Sequence, residues 1–295
     1  MGRLRFPVIP VVLLYTTVLQ TTEEVIQMGM FPEAADYSFQ NCRSKMLQMV
    51  TESGGLLQTE LNNNPDFKAI WQDSAACSET IPGGTPQHAA ALKSYADASP
   101  TFLKEFRKLA KTNKGSSTYR DEFPFKSLFF LLTDAVQLLG QNKCCTVYFG
   151  TEKEYNTKIG EKVRFESFVA ATVEHSAAAE DASDSDSTGT VFNIISCSLI
   201  CYEDYKCISE EILSEREFFI SPNEVFTVKA ITTRSGTDTF KEITLTHSDF
   251  QSSSNCSSLD RLPKESKASS SSFLSSSSLN LMASLLPLYY YTLTL

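Results

Sequence analysis

Glu215 and Glu217 stand one residue apart in the run Ser214-Glu215-Arg216-Glu217-Phe218-Phe219-Ile220-Ser221-Pro222. Residues 218–220 read as a strand entry, and strand side chains at i and i+2 point to the same face. The two carboxylates are therefore expected on one side of a sheet. Like charge and burial push the pKa values of such a pair apart, which lets the two acids divide labour. One can stabilise a developing cation while the other orients or deprotonates an incoming nucleophile. A bare Glu-x-Glu is more often a pair of solvated acids on an edge strand, so the rest of the chain has to decide.

The elements that must position those acids change character once along the chain. Across residues 23–139 the apolar positions recur at helical spacing, most clearly at 67–71, 89–95, 102–110 and 125–139. The last stretch is apolar nearly all round and is expected as a buried helix. After Gly140 the pattern turns to short β-rich pieces at 145–149, 163–170, 191–200, 218–220, 225–232 and 240–245. Residues 177–189, rich in Ala, Asp and Ser, read as a polar loop. Helices first and strands second predict an α+β fold, with the helical part packed on a mostly antiparallel sheet.

Both ends carry targeting features. A basic start with Arg3 and Arg5 precedes an uncharged apolar run at 6–19, the layout of a secretory leader. Residues 279–295 are apolar and uncharged, short of the roughly 20 residues a spanning helix needs. They follow a serine-rich spacer at 269–278, as in a glycolipid-anchor signal, with attachment expected within 266–270. The expected organisation is a leader at 1–20, a helical part at 21–139, a β-rich core at 140–256, a serine-rich linker at 257–278 and a removed tail at 279–295. That address is the outer face of the plasma membrane, with a secreted form as its variant.

Eight cysteines, at 42, 77, 144, 145, 197, 201, 207 and 256, imply disulfides in such a compartment. They lack zinc-site spacing, and His88, His175 and His247 are isolated, so no metal is expected. Asn255-Cys256-Ser257 is a glycosylation sequon. A net charge of −9 without a basic patch argues against nucleic acid as a partner.

Five segments in order, at 125–133, 144–151, 163–168, 191–197 and 215–226, make the chain similar to the vertebrate ecto-mono-ADP-ribosyltransferases over about residues 25 to 256. The resemblance implies a sheet core of ADP-ribosyltransferase type that uses NAD as substrate, with NADP as a further donor. It implies arginine-bearing proteins as acceptors and a lipid anchor in the outer leaflet, and an oligomer is not expected. By the same resemblance Glu217 stabilises the oxocarbenium-like ribose as nicotinamide leaves. Glu215 selects arginine, whose permanently charged guanidinium needs a carboxylate to hold it. Residues 202–214 become the acceptor-presenting loop, and Tyr148, Gly150, Arg164 and Thr172 become dinucleotide-binding residues.

The chain departs from that family at three positions. Phe149 stands where an arginine usually grips an NAD phosphate, and Ala170 where a serine orients the catalytic glutamate. Phe129 replaces a histidine common in the buried helix. A second class of function therefore stays open, an inactive ectodomain that binds a surface partner. The resemblance also implies bridges Cys42–Cys256 and Cys144–Cys197, with Cys145 as the alternative to Cys144. Cys201 and Cys207, flanking a short loop, form a further candidate pair.

Overall fold

The helical half comprises α1 (Arg43–Thr51), α2 (Leu56–Asn63), α3 (Pro65–Ser74), α4 (Pro86–Ala96), α5 (Pro100–Thr112), α6 (Ser116–Asp121) and α7 (Lys126–Leu139). These come from a computed structural model that describes residues 25–75, 80–113, 116–139, 144–183, 188–197, 200–201, 218–234 and 239–252. All of them fall in the first of two units, Met1–Asp260 and Arg261–Leu295. The expected leader, the sequon at Asn255, the serine-rich linker and the apolar tail lie outside the described residues.

Three of these helices open with the same two-residue device, a polar cap followed by proline. Asn64 precedes Pro65 and accepts from the Phe67 amide at 2.9 Å, while Ser99 precedes Pro100 and accepts from the Phe102 amide at 3.3 Å. Thr85 precedes Pro86 and forms a reciprocal box with His88. Each cap satisfies a helix-start N–H, and each proline supplies a preset φ where no donor is needed.

Helix α7 is buried along residues 126–136 and packs against α1, α2 and α4. Phe129, fully buried at its centre, meets the rings of Phe39, Phe106, Tyr119, Phe123 and Phe168. Buried carboxylates tie this helix to its neighbours at two places. At its start, Glu60 accepts from the Lys126 and Ser127 amides at 3.0 and 2.9 Å and from the Ser127 hydroxyl at 2.5 Å. Burial pushes the Glu60 carboxyl up to about 7, against the pull of Lys126 and of those hydrogen bonds. Further along, Asp134 pairs with His88 at 2.8 Å and Arg43 at 2.6 Å. Burial pushes the Asp134 carboxyl up, but these two partners outweigh it and hold it below the ordinary range.

The β-rich half contains β1 (Ile26–Gln27), β2 (Cys145–Thr151), β3 (Tyr155–Asn156), β4 (Lys162–Val163), β5 (Val169–Ala171), α8 (His175–Ser183), β6 (Thr190–Ser196), β7 (Ile200–Cys201), β8 (Phe218–Ile220), β9 (Glu224–Arg234) and β10 (Phe240–Phe250). Five strands form one sheet in the order β2-β6-β10-β9-β4, antiparallel throughout except for the parallel β6–β10 pair. A three-stranded antiparallel sheet has the order β5-β8-β7, and β1 pairs in parallel with β3. Alternate side chains such as Val147, Phe192, Ile194, Phe226, Val228, Ile243 and Leu245 join one apolar core. The α+β expectation holds.

Two local expectations need correction. The polar loop expected at 177–189 contains α8 instead. Its buried residues are Ala178 and Ala182, four apart, so one face of small side chains lies against β2 and β6. With no long apolar residue on that face, the period is hard to read. The strand expected at 163–170 splits into β4 and β5. Between them Arg164 turns inward, donating to Met30 O at 2.5 Å, Phe31 O at 3.1 Å and Asp36 at 2.7 Å.

Cys144 bonds to Cys197, while Cys145 is a free, exposed thiol, which decides between the two adjacent candidates. Cys42 is disulfide-bonded, and its expected partner Cys256 lies outside the described residues, as does Cys207.

Candidate active site

The two larger sheets meet at Tyr148 and Thr172. Their backbones exchange hydrogen bonds of 2.7 and 2.9 Å in an isolated antiparallel bridge, which joins the outer edge of β2 to the end of β5. Over this junction opens a cleft of about 420 Å³. Residues 148–151 of β2, the turn bearing Glu152 and Lys153, the run 165–172, Arg107 and Lys111 of α5, and Asp181 of α8 line it.

Of the expected dinucleotide-binding residues, the cleft brings together Tyr148, Gly150 and Thr172. Gly150 has a packing reason as well, because a Cβ there would collide with the Ala178 carbonyl of α8. The Thr172 hydroxyl accepts from the Glu174 amide at 3.1 Å, and its O–H remains available to donate. Arg164 does not line this cleft. Its buried guanidinium is taken up by Met30, Phe31 and Asp36, so it tethers the N-terminal segment and offers nothing to a ligand there.

The departures at 149 and 170 both face the cleft. Phe149 is half-buried, stacked on Phe192 at 5.9 Å and edge-on to Phe165 at 6.0 Å, which makes it part of the sheet core's rim. Ala170 pairs with Phe219, and Ala171 pairs with Phe218. Glu215 and Glu217 themselves lie outside the described residues. The first residue of β8, Phe218, is the next residue after Glu217 in the chain.

Charged groups that the sequence reading overlooked surround the opening. Arg107 and Lys111 sit four apart on α5, a spacing that puts both on one helical face, and that spacing was the available signal. Lys111 forms an ion pair with Glu166, and Arg107 donates to the Tyr95 hydroxyl at 3.3 Å. Burial raises the Tyr155 hydroxyl above its ordinary range, helped by the nearby Glu166 charge. Beneath the same wall Ser167 is only 5% exposed, and its hydroxyl has no hydrogen-bond partner. Among the described residues no cluster of three or more His, Cys, Asp or Glu side chains is placed to hold a metal ion.

A buried clamp stands behind β6. Glu224, fully buried at the head of β9, accepts from the Ser196 hydroxyl at 2.7 Å and the Cys197 amide at 2.9 Å, and pairs with His247 at 2.8 Å. Together with the Cys144–Cys197 bridge it fixes the end of β6 from two sides.

Comparison with known proteins adds a family to this geometry. A family model described as NAD:arginine ADP-ribosyltransferase matches residues 28–253. Ecto-ADP-ribosyltransferase 5 of Bos taurus is 27% identical over 217 residues, which cover 68% of this chain and 65% of that protein. The chain thus spans about two thirds of the length of that curated relative. Among solved structures, the eucaryotic mono-ADP-ribosyltransferase ART2.2 aligns with a TM-score of 0.64 at 24% identity, covering 78% of this chain and 98% of that one. A mutant of the same protein in complex with NAD aligns with a TM-score of 0.61 at 26% identity, over the same shares of the two chains.

Proposed function

This chain belongs to the NAD:arginine ADP-ribosyltransferase family, and from that premise we propose that it transfers ADP-ribose from NAD to arginine side chains of protein targets. The observation that carries the proposal is the pairing of Phe218 with Ala171 at the cleft. Phe218 directly follows Glu217 in the sequence, which ties the acid pair covalently to the strand that pairs with β5.

In the proposed reaction the bond between the ribose anomeric carbon and the nicotinamide nitrogen breaks, and its electron pair leaves with nicotinamide. Glu217 stabilises the positive charge that develops on the ribose. Glu215 holds the acceptor guanidinium, one of whose nitrogens attacks the same carbon and gives its proton to that carboxylate. Tyr148, Gly150 and Thr172 form the floor on which the dinucleotide rests. Arg107, Lys111 and Lys153, which also line the cleft, supply positive charge for its diphosphate. NADP carries the same reacting bond and is proposed as a further donor. The apolar ends of the sequence support export and a glycolipid anchor on the outer face of the plasma membrane.

The testing experiment is transfer from labelled NAD to agmatine or polyarginine. Wild-type protein should label the acceptor, and Glu217→Gln should abolish labelling while leaving the fold intact. A second reading, a partner-binding ectodomain without catalysis, is favoured by Phe149 lying packed on Phe192 and Phe165 where a cation would be useful. Wild-type protein that neither transfers ADP-ribose nor hydrolyses NAD would favour that reading.

A further inference from the structure

Five side-chain hydroxyls among the described residues are buried without a partner, those of Ser94, Tyr119, Thr133, Ser167 and Ser221. Leaving such a group unpaired costs about 1–3 kcal/mol, so each one asks for an explanation. Of the five, Ser167 alone lines the cleft. Nearby Ala170 and Ala171 carry no hydroxyl, and that of Thr172 already accepts from the Glu174 amide. The neighbouring Glu166 is engaged by Lys111. An alanine at 167 would avoid the desolvation cost at a site only 5% exposed.

We propose that Ser167 is a ligand-binding residue whose hydroxyl pairs with a polar group of the dinucleotide in the cleft. The proposal rests on the reading that the cleft takes NAD. In the free protein the hydroxyl is withdrawn from solvent. A serine side chain has three staggered rotamers, and one step about χ1 turns the oxygen without moving the backbone. The ligand thus supplies the partner that the folded chain withholds, and the unpaired state is relieved on binding. Ser167 is then a binding and specificity group, separate from the acids that carry out bond breaking.

Two measurements on the full chain test this together. The first is thermal unfolding without ligand. Ser167→Ala should melt at the wild-type temperature or above it, because the substitution removes a desolvated hydroxyl with no bond to lose. The second is calorimetric titration with NAD, where the same variant should bind about tenfold more weakly, the weight of one hydrogen bond. Ser94→Ala deletes an equally unpaired hydroxyl on α4, away from the cleft, and should leave NAD affinity unchanged. Undiminished NAD affinity in Ser167→Ala overturns the inference, as does a clear fall in its ligand-free melting temperature. Wild-type protein that does not bind NAD overturns the underlying reading, and the inference with it.

Discussion

The helical core around α7 and the cleft over β2 and β5 treat their charged groups in opposite ways. Around α7, Glu60 meets two amides and a hydroxyl, and Asp134 meets His88 and Arg43, all within the fold. At the cleft, Lys111 and Glu166 pair with each other while partly exposed, where solvent screens and competes with the pair, and Lys153 is exposed. Buried polar networks hold a unique core only when they are satisfied. A binding wall gains its usefulness from groups that can still take a partner. The difference separates residues that keep the molecule folded from residues available to a substrate.

The most forceful way to break that separation is to remove a ring from the helical core. Phe129→Ala should cost about 3–5 kcal/mol in urea unfolding, because the cavity left among five aromatic neighbours cannot collapse fully. Loss of NAD affinity without loss of stability in this variant would mean that the buried helix takes part in the site.

A second test uses pH. The Glu60 carboxyl lies near 7 in the folded chain against 4.5 in the unfolded one. Between those values the folded state binds more protons, so stability should fall as pH rises from about 4.5 to 7, by up to about 3 kcal/mol. Glu60→Gln should flatten that part of the melting profile. A wild-type profile that instead rises steadily across this window would show that the bonds from Lys126 and Ser127 outweigh burial.

The smallest stability effect is expected at the cleft itself. Phe149→Arg gives up ring packing at a half-buried position, a cost of about 1 kcal/mol. The same change adds a cation to a cleft proposed to hold a diphosphate, and NAD affinity should rise about tenfold. Unchanged affinity would mean that position 149 is remote from the phosphates, and the contrast between the two regions would need redrawing.

Much of the helical half was legible because its signals are local. The apolar spacing at 67–71, 89–95 and 102–110 and the apolar run at 125–139 marked α3, α4, α5 and α7, while the cap–proline pairs at 64–65, 85–86 and 99–100 were an unused signal for three of their starts. Helix α8 was not legible, since its buried face consists of alanines whose value depends on the Gly150 and Gly189 backbones passing close beneath them. Arg164 was misread for a related reason. A charge beside a strand looks available until the distant Met30, Phe31 and Asp36 fold over it. The Glu215–Glu217 pair drew attention by its spacing, but only the ordered segments around it gave that spacing a functional reading. The unpaired hydroxyl of Ser167 is a property of three-dimensional packing, and a serine among 163–168 gives no hint of it.

The clamp at Glu224 has a consequence for how much the chain length beside it can vary. It ties Ser196 and Cys197 to the head of β9, and the Cys144–Cys197 bridge holds the same point from β2. Cys197 and the head of β9 are therefore fixed points on either side of the sequence that carries both acids. Lengthening a tethered segment is cheap, since each doubling adds only about 0.6 kcal/mol of closure entropy. A change in the number of residues between those two points should therefore cost the scaffold little.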